Sequence, residues 1–365
     1  MRSAEIIERE PGEFEIVYPV LPPRTPYRKV RGLLREEWAE YAIAFAAGVH
    51  LALVVRYVLD WDDIVGTAAV ALIAGVALHY AVVRRRSSAE VAIDKAMTTV
   101  MWTVGVLVLA LLVWMITFVT VKGIKRLRWS FLTQDLKTVS ALDQGGGAFH
   151  ALVGSVEQVA LASVIVVPIS VLTAVYLHEI RGRMSVVIRF IVDMLSGLPS
   201  IVAGLLVITI FPGYSGYKAS IALAILALPI VTRTSEEVLR TVPDGLREAS
   251  LALGAPQWRV VGRIVLPTAR AGLVTAFLLA VARMVGETAP VLLTAFLNTR
   301  TVTDPFASKP QASLPTFIYD LILVPDKVQN ERAWAGALLL LIIVIIFFGA
   351  ARYALARSER RLGRR

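Results

Sequence analysis

The stretch Ala280-Val-Ala-Arg283-Met-Val-Gly286-Glu287-Thr288-Ala-Pro290 sets two opposite charges four residues apart in an otherwise apolar run. An arginine near the centre of a membrane helix costs at least ~3 kcal/mol on insertion scales, so something must recover the loss. Glu287 lies one helical turn on, shares the face of Arg283, and can neutralise it as an internal ion pair. The same two side chains can instead hold an anion. A guanidinium donates two parallel hydrogen bonds to an oxyanion, and a nearby carboxylate accepts a proton that a partly protonated anion still carries. A fully deprotonated oxyanion cannot use that acceptor, so the pair would discriminate as well as bind. One cationic contact tempered by a carboxylate also holds an ion weakly enough to release it.

Little else in the chain suggests chemistry. There are no cysteines, which excludes disulfides, thiolate zinc sites and cysteine nucleophiles. The four histidines are scattered without metal-ligand spacing on a helix. His50 and His79 read as hydrogen-bonding partners between helices. No phosphate-binding loop of the G-x-x-x-x-G-K-[ST] type occurs; Gly213-Tyr-Ser-Gly216-Tyr-Lys218 lacks the spacing and follows no strand. The chain offers no enzyme site and no cofactor site of its own. Arg189 and Asp193 read as a self-satisfied pair on one helix face. Glu157 faces a pathway or another subunit, or else is hydrogen-bonded at the outer interface.

The elements that must position Arg283 are membrane helices. Hydrophobic residues make up 56% of the 365, charged residues only 18%, and mean hydropathy is +0.67. Spanning a bilayer takes about 20 apolar residues. Eight segments qualify: Tyr41–Leu59, Ile64–Val83, Thr98–Val121, Leu152–Leu177, Val186–Phe211, Ala219–Val231, Ala269–Leu297 and Trp334–Leu355. Pro168, Pro199 and Pro229 are sites for kinks. The first forty residues are charged and proline-rich with no apolar stretch, so insertion is expected to rely on the first span rather than a cleavable leader. The expectation is an all-α, multi-pass integral membrane protein of about eight helices.

The net charge of +10 concentrates at the ends of these runs, which points to topology and anionic lipid rather than nucleic acid. Arg24, Arg28, Lys29, Arg31 and Arg35 precede the first span. Arg84 to Arg86 follow the second, Arg181 and Arg183 follow the fourth, and Arg352, Arg357, Arg360, Arg361, Arg364 and Arg365 follow the last. Eight spans put all of these on one side and Asp60, Asp62 and Asp63 on the other, so both termini are expected in the cytoplasm. Lys122, Lys125, Arg126 and Arg128 disagree, falling outside. The outer loop carrying Gly145-Gly146-Gly147 is expected to be flexible, and the loop from Asn298 to Arg332 to fold back or dock a partner.

Between the sixth and seventh spans lies Leu246-Arg-Glu-Ala-Ser-Leu-Ala-Leu-Gly254-Ala-Pro-Gln-Trp-Arg-Val-Val-Gly-Arg-Ile264-Val-Leu-Pro267. The pattern is an amphipathic helix, a turn at Gly254-Ala255-Pro256, and a second helix. Such a helix either lies on lipid or seats in a groove of a cytoplasmic partner. The stretch resembles the EAA loop of ABC importer permeases. Glu248, Ala249, Ser250, Gly254, Ile264, Leu266 and Pro267 occupy the motif positions, with Ser250 in place of the second alanine. The resemblance implies a coupling helix that seats in a separate ATPase subunit, where ATP and Mg would bind.

Arg283-x-x-Gly286-Glu287-Thr288-Ala-Pro290 resembles the signature of phosphate ABC permeases. Its Ala289-Pro290 matches the PstA-type subunit rather than the PstC-type, in which Met follows the Thr. Asp193 to Gly204, Tyr176-Leu-His-Glu179 and Leu314-Pro315 through Tyr319 extend the likeness, which covers about residues 98–356. It implies a six-helix permease core and a substrate pathway at Arg283, Glu287 and Thr288. It also implies assembly with a PstC-type second permease, two copies of a PstB-type ATPase and an extracytoplasmic PstS-type phosphate-binding protein, in a prokaryotic plasma (inner) membrane. The resulting organisation is an N-terminal cytoplasmic segment (1–40), two additional helices (41–83), the permease domain (98–356) with its coupling loop (240–267), and a basic tail (357–365).

Three other readings compete. A secondary transporter driven by an ion gradient often shows inverted repeats, and none is evident here. An ABC permease for sulfate, molybdate or phosphonate fits the Arg283–Glu287 pair poorly. A membrane scaffold would have no use for a mid-membrane arginine.

Overall fold

The computed structural model describes residues 5–10, 13–17, 35–60, 62–139, 143, 145–180 and 182–361. Arg24, Arg28, Lys29, Arg31, Arg181, Arg364 and Arg365 of the charge argument lie outside them. Apart from one short antiparallel hairpin, Glu5–Glu10 with Glu13–Val17, the elements are helical. The chain divides into two compact units, Met1–Leu112 and Val113–Arg365. The division falls inside helix α3 (Ala89–Gly123), so the first part of α3 groups with α1 (Arg35–Val58) and α2 (Ile64–Arg86).

Within the first unit, α1 and α2 approach so closely at Gly48 that a Cβ there would lie 2.6 Å from the backbone nitrogen of Gly75. Small residues permit this contact in the absence of a hydrophobic drive between apolar helices. Buried His79 pairs its Nδ1 with Thr99 Oγ1 at 3.0 Å and packs against the Tyr41 ring. His50, expected to do likewise, is exposed.

The second unit is a helix bundle. After the short α4 (Trp129–Thr133), helix α5 (Phe149–Val175, continued by a π-helical turn to Ile180) lies along α8 (Gly216–Arg240). Their shared core is a seam of small and branched residues, among them Ala162, Val166, Ala219, Leu223 and Ala227. Helices α11 (Leu266–Val285) and α14 (Lys327–Arg361) pack beside it. Helix α13 (Leu314–Leu323) starts with a capping box between Ser313 and Thr316 and folds back on the bundle, where Leu314 N donates to Ser155 Oγ at 2.8 Å. The glycine run is not loose. Arg332, 1% exposed, donates to the carbonyls of Asp143 and Gly145, and Ala148 N donates to Phe131 O.

The sixth expected span, Ala219–Val231, extends unbroken through Pro229 as Gly216–Arg240, whereas two others are broken. The fifth is two helices, α6 (Ser185–Ser196) and α7 (Ser200–Ile210), bent by 105°. Pro199 cannot donate a helical hydrogen bond and disfavours helix at Leu198, so the chain breaks there rather than kinking. The seventh stops at Val285 and resumes as the short α12 (Ala289–Thr294). Gly286 caps the first piece, and Pro290 suits the opening turn of the second. Arg283 therefore sits in the last turn of a helix, not at its middle.

The bundle has two distinct ends. At one, Ser215 N donates to Thr294 O and Tyr217 N to Pro305 O. At the other, the π-turn of α5 and the end of α8 meet α9 (Asp244–Ala252). The start of α6 lies at the α9 end, since Arg189 donates to Leu177 O. The chain after α7 emerges at the far end, at Ser215. The bent pair therefore carries the chain across as one broken span. Seven described helices are long and apolar enough to cross a membrane, and the pair makes eight.

Candidate functional site

Arg283 is the one exposed residue in a buried turn: Ala280, Val281, Ala282, Met284 and Val285 all pack inward. Its Nε lies 3.6 Å from Glu287 Oε1, with the arginine side chain 65% exposed and the glutamate 19%. The two border a cavity of about 320 Å³. Across it stand Ser196, Pro199 and Ser200 from the α6–α7 break, and Pro229 with Ile230 from α8. Two helix breaks and an intrahelical proline thus converge on one cationic side chain. Irregular backbone at membrane depth is tolerated where it lines a cavity. Gly204 fixes this arrangement, because a Cβ there would come within 2.9 Å of Pro290 Cα. Thr288 is the residue before α12; its carbonyl accepts from Leu292 N, and it does not line the cavity.

The loop motif forms a helical hairpin on the surface, α9 followed by the short α10 (Gln257–Val260). No residue of α9 is buried, and Glu248 and Ala249 are open. Ser250 Oγ donates to Leu246 O. Gly254 turns the chain at φ +80°, a conformation that side-chain-bearing residues rarely adopt. Leu251, Leu253 and Trp258 stand uncovered around it, Leu253 89% exposed. Leu266 packs instead into the cluster of Ala174, Leu239, Val242 and Val265 beneath the hairpin. Ile264 is half-buried, and Pro267 opens α11. The motif thus splits between an exposed turn and the anchor that holds it.

Sequence reading missed the residue that ties them together. Arg247 donates to Glu179 Oε1, Asp244 Oδ1 and the carbonyls of Val242 and Leu239. Gln257 adds a bond to Glu179 O. The signal was present, since Arg247 adjoins Glu248 of the motif, but only folding brings Glu179 to it. The expected Arg189–Asp193 pairing is also corrected. Arg189 pairs with Glu236 at 2.6 Å, and Asp193 with Arg233, both on α8. Because α6 packs along α8, each charge finds its partner across the helix pair rather than along its own helix. Glu157 accepts from Gln311 Nε2 at 2.6 Å, at the far end.

Residues 166–360 match the family model described as "Binding-protein-dependent transport system inner membrane component". This chain belongs to that family. The match includes the hairpin and the Arg283 cavity. A phosphate transport system permease protein PstA 1 of Mycobacterium tuberculosis (strain ATCC 25618 / H37Rv) is 42% identical over 264 residues, 70% of this chain and 83% of that one. PstA of Mycobacterium leprae is 39% identical over 74% of this chain and 90% of its own length. PstA of Yersinia pestis is 38% identical over 70% of this chain and 85% of its own. As a binding-protein-dependent transport component with this many apolar helices, the chain is a multi-pass inner-membrane protein, a transport subunit rather than an enzyme.

Proposed function

We propose that this chain is the transmembrane permease subunit of an ATP-driven importer of inorganic phosphate. The observation that carries the reading is the Arg283–Glu287 pair on a cavity of broken helices, in a chain about 40% identical to phosphate permeases. Phosphate at neutral pH carries one to two negative charges and at least one proton. Arg283 meets the charge with paired donors, Glu287 accepts the proton, and Thr288 holds the start of α12 beside them. A PstC-type permease would complete the pathway. The hairpin carrying Glu248, Ala249, Ser250 and Gly254, anchored through Ile264, Leu266 and Pro267, would seat in one of two PstB-type ATPase subunits, which bind ATP and Mg. A PstS-type binding protein would deliver phosphate to the far end.

With eight crossings, both termini lie in the cytoplasm. The outer basic cluster opposes this topology; within it Arg126 pairs with Glu331 at 3.0 Å, and Lys122 lies over the Phe118 ring. The test is uptake of radiolabelled phosphate with and without this chain, in excess sulfate, after ion gradients are collapsed with ATP retained. Uptake that requires the chain and survives supports the reading. Uptake that dies with the gradient points to a secondary carrier, and inhibition by sulfate points to another oxyanion.

A further inference from the structure

Between the Arg283 cavity and the α9 hairpin lies a second charged cluster. Asp193 pairs with Arg233, and Glu236 pairs with Arg189 at 2.6 Å, Arg233 at 3.3 Å and Arg240 at 4.0 Å. Three guanidinium groups face two carboxylates, a surplus of one positive charge. Its position follows from the helices. Arg233 is one turn beyond Pro229 on α8, and Asp193 just precedes Leu195 and Ser196 on α6; the two charged residues belong to the cluster, and the other three line the cavity. The cluster is therefore the next station from Arg283 toward α9.

The two carboxylates are not equivalent. Glu236 is 4% exposed and held by two close arginines, so it fixes Arg189 and Arg233 in place. Asp193 is 59% exposed and, among the described residues, pairs with Arg233 alone. An exposed ion pair is weakly held and open to exchange, whereas a buried charge cannot leave its partners. Thus Asp193 occupies, on a displaceable arm, the place where Arg233 would present its donors to an oxyanion. A half-buried guanidinium held in part by an exchangeable carboxylate suits an anion in transit.

We propose that Arg233 and Arg189 form a second binding station for inorganic phosphate on the α9 side of the pathway, occupied by the Asp193 carboxylate until an incoming anion displaces it. Glu236 positions the two arginines. The station rests on the phosphate reading given above. It gives an ion leaving Arg283 a cationic contact before release, and the returning Asp193 expels it.

The experiment is equilibrium binding of radiolabelled inorganic phosphate to the purified complete importer without nucleotide. The variants are Asp193→Asn, Arg233→Gln and Arg283→Ala, each normalised to folded complex. Asp193→Asn, a near-isosteric change at an exposed site, should tighten binding about two- to five-fold by removing the competing charge. Arg233→Gln should weaken it at least as much, and Arg283→Ala, which removes the first station's share, should leave a residual binding that Asp193→Asn and Arg233→Gln still shift. Opposite signs from the two ends of one salt bridge are what a merely structural bridge would not give. Unchanged binding in both Asp193→Asn and Arg233→Gln would overturn the station, as would abolition of all binding by Arg283→Ala. An unmutated importer that neither binds nor takes up phosphate would overturn the phosphate reading and the station with it; one that does both, with the Asp193 and Arg233 variants unmoved, overturns the station alone.

Discussion

Arg247 donates to Glu179 Oε1 at 2.9 Å, joining the first turn of α9 to the π-helical end of α5. Both side chains are nearly covered, 13% and 8% exposed. The same guanidinium holds the carbonyls of Leu239 and Val242 at the end of α8. The residue next to Glu248 is thus fastened to two membrane helices that run the length of the bundle, α5 and α8. A displacement of the hairpin has a stiff route into the membrane.

Removing one partner of a buried pair strands the other, at a typical cost of about 3–5 kcal/mol. Glu179→Leu and Arg247→Leu should each lower thermal stability, and together should cost less than the sum of the two. In the fraction that folds, ATP hydrolysis should continue while uptake falls. Melting of the purified complex, with hydrolysis and uptake measured in one preparation, checks this. Strictly additive stability losses, or hydrolysis and uptake falling in proportion, would remove the joint.

Arg283→Ala should reduce phosphate uptake by about 10- to 100-fold, the scale of one or two charge-assisted hydrogen bonds. Insertion should be unimpaired, since losing the cation lightens the membrane cost. Arg283→Lys should recover only part of the activity, because an ammonium lacks the paired geometry. Uptake rates normalised to chain in the membrane decide it, and full activity in the alanine variant would clear Arg283 of any part in the pathway.

Gly254 holds φ at +80° with open space where a Cβ would stand. Gly254→Ala therefore carries backbone strain of roughly 1–2 kcal/mol and no clash. Gly254→Asp adds a charge beside exposed Leu251 and Leu253. Uptake should fall modestly in the first and steeply in the second, as it should in Glu248→Arg, with membrane abundance retained throughout. Transport assays alongside quantified membrane fractions test the series. Full uptake in Gly254→Asp and Glu248→Arg would end the coupling role of the hairpin.

Asp135 tethers two far-end loops by accepting from Thr301 N and Oγ1. Burial pushes its carboxyl up, but hydrogen bonds from Lys137 and Thr301 and the field of His150 outweigh that and leave it below the usual carboxylate range. A lowered folded-state pKa means the ionised tether stabilises above the unfolded pKa of about 4 and is lost as pH falls through the folded value. Hydrogen exchange in residues 299–302 should thus be unaffected by the tether's titration between pH 7 and pH 5. It should speed up several-fold in Asp135→Asn at either pH. Equal protection in variant and parent would show that the tether contributes nothing.

The sequence by itself determined the solvent of this protein, since long apolar runs bounded by Arg and Lys leave lipid as the only match. It also located the turn at Gly254, because a glycine and a proline between two amphipathic stretches punctuate them locally. Arg283 and Glu287 were legible for the same reason: a charge in an apolar run stands out without any knowledge of neighbours. The tertiary structure alone decided what these residues face. Pro199 and Gly286 announce weak points, but whether a helix kinks or breaks depends on what packs against it, here Gly204 against Pro290. Pairing of charges was likewise beyond local reading. Arg189 and Asp193 satisfy the rule for partners one turn apart, yet α8 brings Glu236 and Arg233 nearer to them than they are to each other. Spacing along a helix is fixed by backbone geometry, whereas contact between helices is fixed by which small-residue seams interlock, and that information is distributed over the whole bundle.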